Sequence, residues 1–165
     1  MIKKLDFLII GMFRSGTSFI SNLINSHPKA YCVYDPYIFF IKIYNTFLNK
    51  NRKFNPDRDL DHYIKNKKID NNNFIKKLAS KKFDETISLQ NKRLFKRLLV
   101  RFKSKQHKNI EKIRVSKQKQ SYKVFFLDTL EQFKKINSKK KSVKIGTKIS
   151  WCEEFIPVFF NSFKN

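Results

Sequence analysis

Glycine is nearly missing from this sequence: Gly11, Gly16 and Gly146 are the only three among 165 residues. Where a chain uses so little glycine, each one is expected to serve backbone geometry. Cysteine is rarer still. Cys32 and Cys152 have no metal-ligand spacing and form no disulfide framework, which excludes zinc-finger and disulfide-stapled folds and fits a reducing compartment. Acidic residues are also few, 13 against 37 Lys and Arg. Finally, no apolar run approaches the ~20 residues of a membrane span. The run at residues 5–10 carries Asp6 and leads into Arg14, so it is too short and too charged for a signal peptide. The expectation from these absences is a soluble protein on the cytoplasmic side, without a metal.

What remains is rich in core material. The chain is 41% hydrophobic and 15% aromatic, with 18 Phe, far too apolar for a disordered basic tail. The net charge of +24 suits nucleic acid, an anionic membrane surface, a phosphate-rich cofactor or an acidic polysaccharide. Lysine travels here with abundant Asn, Ile and Phe, the residues of A/T-rich codons, and base composition explains much of the excess.

Residues 5–10 read as a buried strand ending at Gly11. A loop follows. From Thr17 the spacing is helical, with Phe19, Ile20, Leu23 and Ile24 on one face, until Ser26-His27-Pro28 stops it. Residues 30–33 predict a second strand and Tyr34-Asp35-Pro36 a turn, followed by an amphipathic helix carrying Tyr37, Phe40, Ile41, Tyr44, Phe47 and Leu48. Residues 49–73 read as a polar surface insertion, 74–102 as mostly helix, and 103–119 as a basic connector. Tyr122, Phe125, Phe126, Leu130, Phe133 and Ile136 restore a helical stripe. A short strand is expected over 142–146, with Thr147 and Lys148 at its end. A last helix has Glu153 and Glu154 in its first turn. This is one α/β domain over 1–165, with a basic, mostly helical insertion over 49–119.

The segment Gly11-Met12-Phe13-Arg14-Ser15-Gly16-Thr17-Ser18 sits between strand and helix and has the skeleton of a phosphate-binding loop. Curled main chain can point successive N–H groups at an anion, and the helix start adds partial positive charge. Thr17 stands where an ATP- or GTP-binding loop would carry lysine, which disfavours a nucleotide kinase; the cation comes earlier, at Arg14. The bland alternative is a tight turn capped by Ser and Thr with no ligand.

Residues 7–18 resemble the 5′-phosphosulfate loop of sulfotransferases that use 3′-phosphoadenosine 5′-phosphosulfate (PAPS), and Asn25-Ser26-His27-Pro28 is similar to the turn that ends this helix in that family. Proline usually stands where Phe13 is. The resemblance implies a three-layer, P-loop-like parallel sheet flanked by helices. It also implies transfer of a sulfuryl group from PAPS to a hydroxyl on a carbohydrate, acidic polysaccharides included, a peptide or a small molecule. Arg14, Ser15, Gly16, Thr17 and Ser18 would bind the cofactor. Tyr34-Asp35-Pro36 is similar to the Glu-Pro or Glu-Glu motif of the tyrosylprotein and related bacterial branch, which makes Asp35 the candidate general base. Its competing role is that of a turn residue before proline. Lys144-Ile145-Gly146-Thr147-Lys148 is similar in part to a Gly-acid-Lys stretch whose lysine contacts the transferring group, so Lys148 joins Arg14 and Asp35 as catalytic. His27 is the runner-up base; His62 and His107 lie in polar segments without a partner motif.

The family continues with a strand, an arginine and a serine that hold the 3′-phosphate. The resemblance therefore implies an N-terminal fragment with an incomplete sheet, weak PAPS binding and little or no turnover. The alternative from another class is a basic module for nucleic acid or polyanion without catalysis, supported by Phe95 and Phe102 among the Lys and Arg of residues 92–119. Their helical spacing with leucines favours a core role instead. The acceptor has no signature in the sequence.

Overall fold

A computed structural model describes residues 5–11, 15–48, 83–103, 105, 107–137, 144–149 and 156–163. In chain order these form β1 (Phe7–Ile10), α1 (Thr17–Ser26), β2 (Ala30–Tyr34), α2 (Pro36–Leu48), α3 (Leu89–Lys103), a 3-10 turn (Ile110–Lys112), α4 (Tyr122–Asn137), β3 (Lys144–Ile149) and α5 (Ile156–Phe163). The architecture is α/β. The sheet is wholly parallel, in the order β1-β3-β2, with Phe7 to Ile10 opposite Gly146 to Ile149 and Ala30 to Tyr34 opposite Lys144 to Lys148. The last strand in sequence is thus the middle one in space. It extends three residues beyond the expected 142–146 segment, so Thr147 and Lys148 lie within the strand rather than after it.

Strand alternation sorts the side chains by face. Tyr31, Val33, Ile145 and Ile149 join the main core, where α2 supplies Tyr37, Phe40 and Tyr44. The rings there meet mostly edge to face, Tyr44 with Phe83 at 4.7 Å and Tyr37 with Phe159 at 5.0 Å between centroids, the arrangement the ring quadrupole favours. The basic stretch contributes to this core: Phe83, Ile87, Phe95, Leu98, Leu99, Ile110 and Ile113 are all buried. Lys92 is buried with them, its Nζ donating to Ser116 O, Gln118 O and Gln120 Oε1 at 3.1, 2.7 and 2.8 Å. Those three acceptors offset the desolvation of the ammonium and tie residues 116–120 onto α3.

The opposite face carries Phe7, Gly146 and Cys32 beneath α1. The Phe7 ring lies where a Cβ on Gly146 would be, so glycine there is a packing requirement. α1 corrects the reading of its own sequence. The side it lays on the sheet is Thr17 and Ser21, both buried, while Phe19, Ile20 and Leu23 are 70%, 45% and 60% exposed. Ser21 reaches the Cys32 thiol and bonds back to Thr17 O at 2.8 Å. Small residues let the helix sit close to the sheet; hydrophobic spacing fixed that α1 is a helix, but not which way it faces. Among the described residues, no helix is long and apolar enough to cross a membrane.

Candidate functional site

Parallel strands all present their C-terminal ends at one side of the sheet, where βα loops gather. β1 ends there at Ile10, and the chain returns into α1 through Gly16, which caps the helix in a left-handed conformation at φ 79° and accepts the Ile20 N–H at 3.1 Å. Only glycine takes that φ without strain. The return is tight: a Cβ on Gly11 would stand 2.5 Å from both Ser15 Oγ and Thr17 Cγ2. Thr17 is buried, and Ser15, Gly16 and Ser18 are exposed. Arg14 lies outside the described residues.

β2 ends beside this turn. Tyr34 donates its hydroxyl to Ser18 O at 3.2 Å and contacts Asn22 Oδ1. Asp35 follows in a left-handed conformation at φ 45°, its N–H donating to Lys148 O at 3.1 Å. Aspartate is among the few residues that adopt this region at modest cost. The conformation breaks the strand within one residue, and α2 begins at Pro36, whose missing N–H costs nothing at a first helical position.

Asp35 is buried, and its Oδ2 accepts from two ammonium groups, Lys148 Nζ at 3.0 Å and Lys103 Nζ at 3.2 Å. Lys148 comes from β3 and also lies 5.8 Å from the Tyr34 ring centroid; Lys103 ends α3 and lies 5.9 Å from that of Phe39. Among the described residues, two cations meet one carboxylate where the strands end. The structure therefore brings Asp35 and Lys148 together, and through Tyr34 it connects them to the first turn of α1. Lys103 is a member the sequence did not announce; it is one basic residue in a long basic stretch.

His107 is the other residue that sequence reasoning passed over. It is buried, with Nε2 accepting the Tyr34 N–H at 3.0 Å and Nδ1 facing Tyr31 Oη at 2.8 Å. Accepting at Nε2 places the proton of the neutral ring on Nδ1, which donates to Tyr31. Burial, then Lys103, push its pKa down to about 4 against an opposing pull from Asp35. With both nitrogens engaged it braces the end of β2 and is not placed to act as a base. Its N–H donates to Lys103 O at 3.0 Å, so one short segment delivers both the brace and the second ammonium. His27 is exposed, and its Nδ1 accepts the Lys29 N–H at 3.2 Å, a helix-end role; His62 lies outside the described residues. The Cys32 thiol is pushed up to about 11, chiefly by burial, which keeps it protonated and inert as a nucleophile. Among the described residues no three His, Cys, Asp or Glu side chains converge to hold a metal ion.

Comparison with known protein families, with curated proteins and with solved structures finds no match to this chain. The functional reading rests on the cluster itself.

Proposed function

We propose that this cluster is the anion site of a PAPS-dependent sulfotransferase, built on a P-loop-like α/β fold. The observation that carries the reading is the meeting of Lys148 and Asp35 at the strand ends, connected through Tyr34 to the first turn of α1. Sulfuryl transfer forms a bond between the acceptor oxygen and sulfur and breaks the bond between sulfur and the bridging phosphate oxygen. The acceptor proton must leave, and negative charge grows on the departing phosphate. Lys148, with Lys103 beside it, would supply positive charge for that phosphate, and Asp35 would take the proton. Ser15, Gly16, Thr17, Ser18 and Arg14 would hold the 5′-phosphosulfate, with the acceptor a hydroxyl on a carbohydrate, peptide or small molecule.

The polyanion-binding alternative loses its stacking aromatics, since Phe95 is buried against Phe125 at 5.2 Å and Phe102 stacks on Phe39 at 5.8 Å. Calorimetric titration with PAPS tests the reading directly. Binding is expected, weakened about tenfold or more by Lys148→Ala and by Arg14→Ala, and unchanged by Arg93→Ala on the exposed side of α3. Equal loss in all three variants, reversed by salt alone, would replace the enzyme with a nonspecific polyanion binder.

A further inference from the structure

The protein buries lysine in two ways. Lys92 Nζ is held by three neutral oxygens, Ser116 O, Gln118 O and Gln120 Oε1, a set of uncharged acceptors that suits a permanent structural role. Lys148 and Lys103 instead converge on one charged oxygen, Asp35 Oδ2, at 3.0 and 3.2 Å. The Lys148, Lys103 and Asp35 side chains are 6%, 16% and 11% exposed, so solvent ions screen these contacts little.

One lysine already completes a structural ion pair. The second is delivered from the end of α3, outside the sheet, onto the same oxygen. A carboxylate oxygen accepts the same charge-assisted bonds as a phosphate or sulfate oxygen. Two ammonium groups aimed at a single oxygen are therefore the arrangement a tetrahedral anion requires, with the chain's own carboxylate inside it. The place in the fold agrees. Lys148 stands one residue before the end of β3 and Asp35 one residue after β2, on the side of a parallel sheet where ligands bind. A turn residue before proline also needs no buried side chain, yet Asp35 is buried.

We infer that Asp35 is a built-in stand-in for the ligand anion: in the resting protein its carboxylate fills the place between Lys148 and Lys103 that a phosphate or sulfuryl group takes on binding. This deepens the anion site proposed above, on which it rests, by making that site selective for charge. A singly charged anion offers the lysines no more than Asp35 does and lacks its tether to the chain. A phosphate, carrying about two charges near neutral pH, displaces the carboxylate. Asp35 is then the group left beside the ligand to take the acceptor's proton.

Calorimetric titration of the full chain with inorganic phosphate tests this. Asp35→Asn keeps a residue that tolerates the left-handed turn and removes the competing charge, so phosphate should bind about tenfold more tightly than to wild type. Glu131→Gln removes a carboxylate from α4, where it pairs with Lys135 at 3.8 Å, and should leave phosphate affinity unchanged. Lys103→Met keeps a long unbranched side chain and removes one of the two ammonium groups, which should weaken phosphate about tenfold. Should Asp35→Asn fail to fold, that variant decides, since an unchanged affinity in Lys103→Met would overturn the inference. So would an Asp35→Asn protein that binds phosphate no better than wild type, by showing that the carboxylate holds the lysines ready for the ligand. An equal gain in Glu131→Gln would overturn it as an effect of overall charge. Phosphate tightened in Asp35→Asn, with PAPS bound no more tightly than phosphate, would keep the stand-in and remove the sulfotransferase reading.

Discussion

At the β2 edge, two of the three outward N–H groups end on side chains, Cys32 on Asn25 Oδ1 at 2.7 Å and Tyr34 on His107 Nε2 at 3.0 Å, and the third, that of Ala30, ends on His27 O at 3.3 Å. At the β1 edge, the outward N–H groups are those of Leu8 and Ile10, and they end on no described group. Asn25 also returns a bond from its Nδ2 to Cys32 O at 3.1 Å, mimicking a strand partner with a single amide. Closing an edge with side chains makes it specific and final, since no other strand can pair there without displacing them. The closed edge is also the one that carries Asp35. The device that ends the sheet on that side therefore also fixes Asp35 and its two lysines.

Removing the closure at its strongest point should have the largest effect. His107→Ala leaves the Tyr34 N–H and the Tyr31 hydroxyl without a partner inside the core and opens a cavity against Phe133, whose ring centroid is 4.9 Å away. A loss of about 3 kcal/mol or more in chemical denaturation is expected. The same residue gives a pH signature. Its folded pKa of about 4 lies below the ordinary value of 6.5, so the unfolded chain takes the proton first. Its contribution is complete above pH ~6.5 and is lost as pH falls toward 4, by roughly 3 kcal/mol in total. His107→Leu should flatten that part of the stability profile. A profile that keeps its slope in the variant would mean another group titrates there.

Next in size is a test of how β1 is held to the sheet. Among the described residues, the four of β1 pair only with β3, and Phe7 closes over Gly146. Gly146→Ala must push that ring away, at an expected cost of about 2 kcal/mol. If β1 is as loosely attached as its open edge suggests, the loss should appear first as faster hydrogen exchange in β1 and only later as global unfolding.

The contrast also explains what the sequence could reveal. The strand-loop-helix start was readable because apolar run, glycine and helical spacing are local signals, and Gly16 does adopt the left-handed φ that such a turn needs. Asp35 and Lys148 could be named because each sits in a short stretch that resembles a family motif, and the sheet register places Tyr34 opposite Lys148. Lys103 and His107 could not. They reach the site only because α3 packs across α2, a long-range arrangement that leaves no local pattern in a stretch crowded with lysine. The orientation of α1 was illegible for another reason. Hydrophobic spacing predicts a buried stripe when something covers it, and here the covered side is Thr17 and Ser21.

Asn25→Ala separates the two bonds at the upper part of the closed edge from the His107 brace. Both bonds involve the Cys32 main chain in a half-buried setting, and their loss should cost about 1–2 kcal/mol, less than the loss of His107. Because it leaves Asp35 and its two lysines in place, PAPS binding should hardly change, whereas His107→Ala should weaken binding beyond its effect on stability.

The smallest effect is expected on the exposed side of α1. Leu23→Ser replaces a side chain that is 60% exposed, so stability in chemical denaturation should stay within about 0.5 kcal/mol of wild type. A loss as large as that of Asn25→Ala would mean that the Phe19-Ile20-Leu23 side of the helix is covered, and that α1 is held to the protein by more than its Thr17 and Ser21 face.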